Sequence, residues 1–315
     1  MNTLSYSGKR YTGESLENGT EELPPYYPDD GLKEAIELAR LLKKPLLLRS
    51  EPGCGKTRFA EALAFELYGE NYQEYLYRWN IKSTTKAKEG IYFYDHLMEL
   101  KEVKMLEGKC TVEGKEGIVI DKANFVKYGP LGNALRHSTE ENPTILLIDE
   151  IDKAEIDFPN DLLYELEWKP GKTIPIAELG TTFNVQYPPI VIITSNDERE
   201  LPPAFLRRCV FYYIDFPNDD LLFKIAKSYL AKIKFSDAIE LNVAEKVEEF
   251  LNIRKKIELK GNKETIPSTS HMLDWLHAHA YYLLHKEDRV VRRLEDKLDF
   301  PGILFKSKND LIRFT

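Results

Sequence analysis

The sequence is poor in the features that mark several protein classes. Only 3 of its 315 residues are cysteine and they show no paired metal-type spacing, so we expect a reducing, cytoplasmic location and no disulfide framework. The 17 glycines and 17 prolines are too few for a collagenous or disordered chain. No apolar run approaches the roughly 18–20 residues that cross a bilayer, and the first twenty residues lack the apolar core of a secretory signal. These absences argue against membrane, secreted and fibrous proteins.

The composition that remains is that of an ordinary globular protein. Hydrophobic residues make up 43% of the chain and charged residues 30%, and the length of 315 residues suits about two domains. The 44 basic residues against 52 acidic residues give a net charge of −8. Phosphate backbones attract basic surfaces, so this balance argues against nucleic acid as the partner and favours a protein.

The order of apolar patterns predicts a strap, a core and a helical end. Residues 1–30 are polar and form an extended N-terminal strap. Over 31–217, short buried strands alternate with helices, which indicates an α/β core with a parallel sheet. Over 218–315 the pattern is almost entirely helical, which predicts a small α-helical domain and a C-terminal tail. Two hairpins are predicted within the core, over 109–120 and 173–188.

The strongest local motif is SEPGCGKT, Ser50–Thr57, between a predicted strand and a predicted helix. Gly53 and Gly55 allow backbone amides to close around a phosphate, Lys56 adds a positive charge, and Thr57 offers a hydroxyl to Mg²⁺. The N-terminal dipole of the following helix favours the same anion. The alternative is a glycine-rich turn that happens to carry a lysine. Ser50 stands where the phosphate-loop pattern has its first glycine.

A second motif, ILLIDE, ends a hydrophobic strand with Asp149 and Glu150. Two acidic residues are not expected in a buried strand, because burying a charge is costly unless it meets a cation. Asp149 can hold Mg²⁺ through water, and Glu150 can act as the base for an attacking water. The alternative is a strand end that meets solvent.

A third set of polar residues follows the next predicted strand. The amide of Asn196 could touch both a phosphate and the attacking water, although asparagine after a strand is often a turn residue. Arg207 and Arg208 follow in LPPAFLRR. An arginine at a subunit edge can reach a neighbour's γ-phosphate, and the alternative is a solvated pair of arginines.

Taken together, SEPGCGKT, ILLIDEIDKA, IITSN and LPPAFLRR resemble, in this order, the motifs of AAA+ ATPases. GPLGNALR and ELPPAFLRRCVFYYIDFP resemble segments of the MoxR branch more closely. This resemblance implies a P-loop NTPase core with a five-stranded parallel sheet in the order 5-1-4-3-2 and a helical lid. It also implies two insertions, near 100–128 and 173–188, where the two predicted hairpins fall.

The resemblance also implies roles for individual residues. Lys56 and Thr57 correspond to Walker A, Asp149 and Glu150 to Walker B, and Asn196 to sensor 1. Arg208 is the expected trans-acting finger, with Arg207 the second choice. Thr57 and Asp149 would hold Mg²⁺. The residues expected to contact ATP are Glu51, Pro52, Gly53, Cys54, Gly55, Lys56, Thr57, Arg58 and Asp149.

The family it resembles forms rings, usually hexameric, and remodels or activates a protein partner in a chaperone-like way, often one with a von Willebrand factor A domain. Many lids place a sensor 2 arginine where this chain has Ser270 and His271. The absence of that arginine motivates the first of two alternatives. One is a nucleotide-gated scaffold with little turnover, and the other is a GTP-preferring motor subunit of a DNA-targeting restriction system.

Overall fold

The computed structural model describes residues 26–107, 121–196, 198–232, 242–259, 266–284, 298–306, 308 and 311–312. Its strands are β1 Leu46–Arg49, β2 Leu76–Asn80, β3 Tyr92–Tyr94, β4 Val126–Tyr128, β5 Ile145–Asp149, β6 Thr173–Ile176, β7 Thr181–Asn184, β8 Ile190–Ser195 and β9 Val210–Tyr213. Its α-helices are α1 Asp30–Leu42, α2 Lys56–Tyr68, α3 Tyr72–Tyr75, α4 Ala87–Ile91, α5 His96–Glu107, α6 Pro130–His137, α7 Phe158–Leu166, α8 Pro203–Leu206, α9 Asp219–Lys232, α10 Val243–Glu258, α11 Thr269–Leu284 and α12 Pro301–Leu304.

Two compact units share these elements. The first unit takes its described residues from Met1–Lys33, Arg49–Glu66 and Tyr213–Thr315, and the second takes them from Glu34–Leu48 and Leu67–Tyr212. We call them the lid unit and the sheet unit. Each is described by itself below.

The central sheet has five parallel strands in the order β2-β5-β8-β1-β9. Numbered by their place among these five, this is the predicted 5-1-4-3-2 order, so the expected fold class is confirmed. The strands are short apolar runs because both faces of a parallel sheet are covered, and Ile145–Ile148 is fully buried. In the sheet unit, the apolar cluster over this sheet includes Trp79 and Phe158, whose rings meet edge to face at 5.6 Å.

One of the two predicted hairpins falls within the described residues. Strand β6 pairs antiparallel with β7, from Thr173 opposite Asn184 to Ile176 opposite Thr181, within the span predicted from the sequence. The other prediction, over 109–120, lies outside the described residues. The structure adds an antiparallel pair that the sequence analysis had not predicted, β3 with β4.

The C-terminal part of the lid unit is helical, as predicted. The helical pattern predicted over 218–315 corresponds to α9, α10 and α11 among the described residues. They pack around Trp275, Phe250 and Leu276, which are fully buried. None of the helices in the described part of the chain combines the length and apolar character needed to span a membrane.

Helix α6 approaches the chain at α4 closely enough to require a glycine. A Cβ atom built on Gly132 would lie 1.9 Å from the carbonyl oxygen of Ile91, which is backbone and cannot rotate away. In a helix interior, alanine is normally more favourable than glycine by about 1 kcal/mol of free energy. At this position the steric clash reverses that preference.

We therefore expect Gly132→Ala to lower the free energy of unfolding by about 2–3 kcal/mol, the usual cost of overpacking. The measurement is urea unfolding followed by far-UV circular dichroism. Gly302→Ala is the matched control, because Gly302 also lies in a helix and a Cβ there meets nothing within 4 Å. Equal stability of the two variants would contradict the assigned close contact.

Candidate functional site

The loop between β1 and α2 turns where its glycines allow it. Gly53 and Gly55 have φ angles of 79° and 90°, in the left-handed region that side chains with a Cβ rarely adopt. Helix α2 begins at Lys56, directly after the loop, and the free amides at a helix N-terminus are suited to an anion. These features fit a phosphate loop, and we call residues 50–57 the phosphate loop.

The ammonium of Lys56 is enclosed by this loop. Lys56 is buried, and its Nζ donates to the carbonyl oxygen of Ser50 at 3.0 Å, to the Ser50 hydroxyl at 2.9 Å and to the carbonyl oxygen of Glu51 at 3.3 Å. These acceptors offset the cost of burying the charge. Ser50, the one departure from the motif, thus adds an acceptor for the lysine that a glycine could not supply.

The remaining predicted residues of the phosphate loop occupy varied environments. Cys54 is buried, which raises the pKa of its thiol and keeps it protonated. Pro52 is exposed, and Thr57 is partly buried in the first turn of α2. Arg58 is paired with Glu61 one turn along that helix.

Two serines before and within the first turn of α11 lie directly against Gly53. A Cβ built on Gly53 would be 2.5 Å from Ser268 Oγ and 2.6 Å from Ser270 Oγ. The two hydroxyls are 2.8 Å apart, and the backbone amide of Ser268 donates to His271 Nδ1 at 3.1 Å. Burial lowers the pKa of His271, which favours the neutral ring that can accept this bond. The segment expected to carry an arginine therefore presents hydroxyl groups.

A cavity of about 270 Å³ opens beside the phosphate loop within the lid unit. It is lined mainly by apolar groups, including Tyr26, Ile225, Tyr229 and Leu273, and Gly53–Gly55 form one wall. The Tyr26 ring lies against Gly55 and 5.8 Å from the ring of Phe59. The cavity has the size and character of a small-molecule site.

In the sheet unit, the two predicted carboxylates stand beside a threonine that the sequence analysis did not name. Thr194 is fully buried in β8. Its hydroxyl donates to Asp149 Oδ1 at 2.5 Å and accepts from the backbone amide of Glu150 at 2.8 Å. One hydroxyl thus fixes both residues. The sequence signal for Thr194 was its position near the end of a predicted parallel strand.

The side chain of Glu150 joins two further residues. Its Oε1 accepts from Asn196 Nδ2 at 3.3 Å, and its Oε2 accepts from Lys153 Nζ at 2.5 Å. The bond to Glu150 raises the pKa of Lys153. Glu150 has a φ of 58°, a left-handed conformation that is unusual outside glycine and often marks a functional position. The structure therefore brings Glu150 and Asn196 together where β5 and β8 end.

Asp152, like Thr194, is a residue of this site that motif spacing did not single out. It is 3% exposed, and its Oδ2 accepts from the backbone amides of Asn196 and Glu198, both at 3.0 Å. It therefore fixes the turn that presents Asn196. The signal for Asp152 in the sequence was its place in the segment IDEID, two residues after Glu150.

Arg207 and Arg208 are exposed at the end of α8 in the sheet unit. The phosphate-loop residues belong to the lid unit, whereas Asp149, Glu150 and Asn196 belong to the sheet unit. The structure groups each set within its own unit.

A protein-family model matches a large part of the chain. The family model described as "ATPase family associated with various cellular activities (AAA)" matches residues 46–217, more than half of the chain. The match begins at the first residue of β1 and includes every predicted site residue. No curated protein matches the chain significantly.

The Thr194 hydroxyl yields a testable prediction. Thr194→Val keeps the shape but leaves the Glu150 amide and Asp149 without this partner, so we expect unfolding to require about 1–3 kcal/mol less free energy. Thr194→Ser keeps the hydroxyl and should retain most of the wild-type stability. Urea unfolding of both variants measures the difference. Indistinguishable Val and Ser variants would contradict the assigned role of the hydroxyl.

Proposed function

The chain belongs to the AAA family of ATPases, and from this membership we propose that it hydrolyses ATP to ADP and phosphate with Mg²⁺ and uses the energy to remodel a protein partner. The observation that carries nucleotide binding is the phosphate loop of the lid unit, with its left-handed Gly53 and Gly55 and its buried Lys56 beside an apolar cavity. The few cysteines support a cytoplasmic location, and the motifs quoted above support the MoxR branch.

The proposed ligand contacts follow from the chemistry of each group. The phosphates would accept from the amides of Gly53–Lys56 and from the Lys56 ammonium, which exchanges its present acceptors on Ser50 and Glu51 for phosphate oxygens. The base would occupy the apolar cavity, where Tyr26 offers a ring face. Cys54 and Arg58 also line the cavity, and together with Glu51 and Pro52 they are the remaining proposed contacts.

The metal-binding residues in this proposal are Thr57 and Asp149. A hydroxyl and a carboxylate are hard oxygen donors of the kind Mg²⁺ prefers, and the Thr194 hydroxyl fixes one Asp149 oxygen. When bound, the ion neutralises charge on the β- and γ-phosphates.

Glu150 is the proposed base and Asn196 the residue that orients the attacking water. The carboxylate of Glu150 would accept a proton from that water. The same carboxylate pairs with Lys153. The Asn196 amide already contacts Glu150, and Asp152 holds the Asn196 backbone in place. This arrangement supports hydrolysis rather than binding alone.

We propose a homo-oligomeric ring, hexameric as in the MoxR-like family, in which Arg208 of one subunit reaches the nucleotide of the next. The exposure of Arg208 and of Arg207, the second choice, supports this role. The partner would be a protein, with a von Willebrand factor A domain as the candidate, since the net charge of −8 disfavours nucleic acid.

A second candidate is a nucleotide-gated scaffold with little turnover. The observation that favours it is the pair of serine hydroxyls at Gly53, in the segment where a lid arginine was expected. Turnover measurements with ATP and with GTP distinguish the candidates. Little turnover with either nucleotide would favour the scaffold, and faster turnover with GTP would favour the GTP-preferring motor.

We expect Glu150→Gln to lower kcat by about 10²–10⁴-fold, the usual contribution of a general base, while nucleotide binding is retained. Phosphate release from ATP and from GTP, with and without Mg²⁺, is the measurement. Glu140→Gln, which changes an exposed glutamate of the same unit, should match the wild type. Wild-type protein without Mg²⁺-dependent hydrolysis would overturn the enzymatic proposal and favour the scaffold.

Mixing variants tests whether the arginine acts in trans. Arg208→Ala and Lys56→Ala should each be inactive alone, because each lacks one side of a shared site. Mixed rings would pair an intact phosphate loop with an intact Arg208, so phosphate release should partly return. If no mixing ratio restores activity, Arg208 is not the trans finger and the same test passes to Arg207.

A further inference from the structure

Arg254 of α10 places a buried guanidinium within reach of the phosphate loop. Its side chain is 6% exposed, and its three nitrogens all have partners. Nη2 lies 2.6 Å from Glu51 Oε2, Nη1 donates to the carbonyl oxygen of Pro267 at 2.7 Å, and Nε lies 2.9 Å from Glu258 Oε1. The guanidinium carbon lies 3.6 Å from the centre of the Phe216 ring.

Two of these partners belong to the two chain segments that meet at Gly53. Glu51 is part of the phosphate loop, two residues before Gly53. Pro267 directly precedes Ser268, whose hydroxyl lies against Gly53. A single guanidinium therefore fixes both the phosphate loop and the serine segment that contacts it.

The chemistry of the site suits arginine specifically. A guanidinium offers several donors in a rigid plane, so it can hold a carboxylate and a carbonyl at once while its face lies on an aromatic ring. A lysine is a point charge and cannot match this geometry. Burying such a cation is costly unless it is fully paired, and here the pairing reaches three separate segments of the lid unit.

We propose that Arg254 is a positioning residue that sets nucleotide affinity through Glu51. The inference rests on the proposed nucleotide site, and it extends that site to a residue outside the matched family segment of 46–217. Arg254 would not touch the nucleotide. It would hold the phosphate loop in one conformation in both the ground state and the transition state, so its loss should raise KM more than it lowers kcat.

The experiment measures binding of a fluorescent N-methylanthraniloyl ATP to the full chain with Mg²⁺. Glu51→Gln keeps the shape of the side chain but removes the charge that faces Arg254. Glu258→Gln is the matched control, because it removes the other carboxylate partner, which is equally exposed (43% against 42%) but lies outside the phosphate loop. We expect Glu51→Gln to weaken binding by at least about fivefold, a typical coupling between sites, and Glu258→Gln to leave it unchanged.

A double-mutant cycle separates this role from direct contact between Glu51 and the nucleotide. Arg254→Lys should weaken binding, and adding Glu51→Gln to it should cause little further loss, because both act through one pair. Independent, multiplicative losses would overturn the proposal. Urea unfolding midpoints of each variant, measured without nucleotide, identify any loss of binding that comes from unfolding. The Glu51→Gln variant should remain folded, because Glu51 is half-exposed.

The remaining outcomes distinguish the two levels of inference. If the wild type binds the analogue but Glu51→Gln and Glu258→Gln behave alike, the role of Arg254 is overturned and the nucleotide site stands. If the wild type does not bind the analogue, the proposed function fails and this inference fails with it. A KM that rises while kcat is kept in Glu51→Gln would support positioning rather than catalysis.

Discussion

The candidate hydrolytic residues of the sheet unit depend on the pairing of β5 with β8. The strands run parallel and in register, from Ile145 opposite Ile190 to Ile148 opposite Ile193. The next residue of each strand is therefore Asp149 on one side and Thr194 on the other, close enough for the hydroxyl to bond the carboxylate. A slip of one residue would point every side chain to the opposite face and separate this pair. The buried isoleucines fix the register, so the apolar core also determines the geometry of the acids.

The chain beyond β5 turns sharply, and this turn depends on buried polar bonds. Glu150 adopts a left-handed conformation, which costs on the order of 1 kcal/mol or more and persists only where the surroundings enforce it. The Thr194 hydroxyl holds its amide, while Asp152 holds the amide of Asn196 after the neighbouring strand. The two strand ends are thereby linked to each other. Asn196 contacts Glu150 because these hydrogen bonds hold both turns in place, so the two side chains are positioned together.

The sequence predicted those parts of the molecule that local pattern controls. Apolar runs predicted the strands and the last helices, and motif order predicted Lys56, Asp149, Glu150 and Asn196 as candidate site residues. Thr194 and Arg254 were missed because their roles arise from pairing between distant segments, which neither periodicity nor motif spacing records. Arg254 in particular looks like one charge among several in IRKKIE, and only the packing of α10 buries it. The hairpin over 109–120 and the domain boundary at 217 stay predictions.

The lid unit shows how a phosphate loop can be held without an arginine at the start of the last large helix. Hydroxyl groups of Ser268 and Ser270 contact Gly53, and the nearby cation, Arg254, is separated from the loop's glycines by Glu51. A cation placed on the phosphate itself would strengthen binding most when the γ-phosphate is present. A cation paired with Glu51 acts on the loop whether or not that phosphate is present, so it would support ATP and ADP alike. In the proposed cycle, discrimination between the two nucleotides then falls to Asn196, Glu150 and the neighbour's arginine, and the lid contributes affinity.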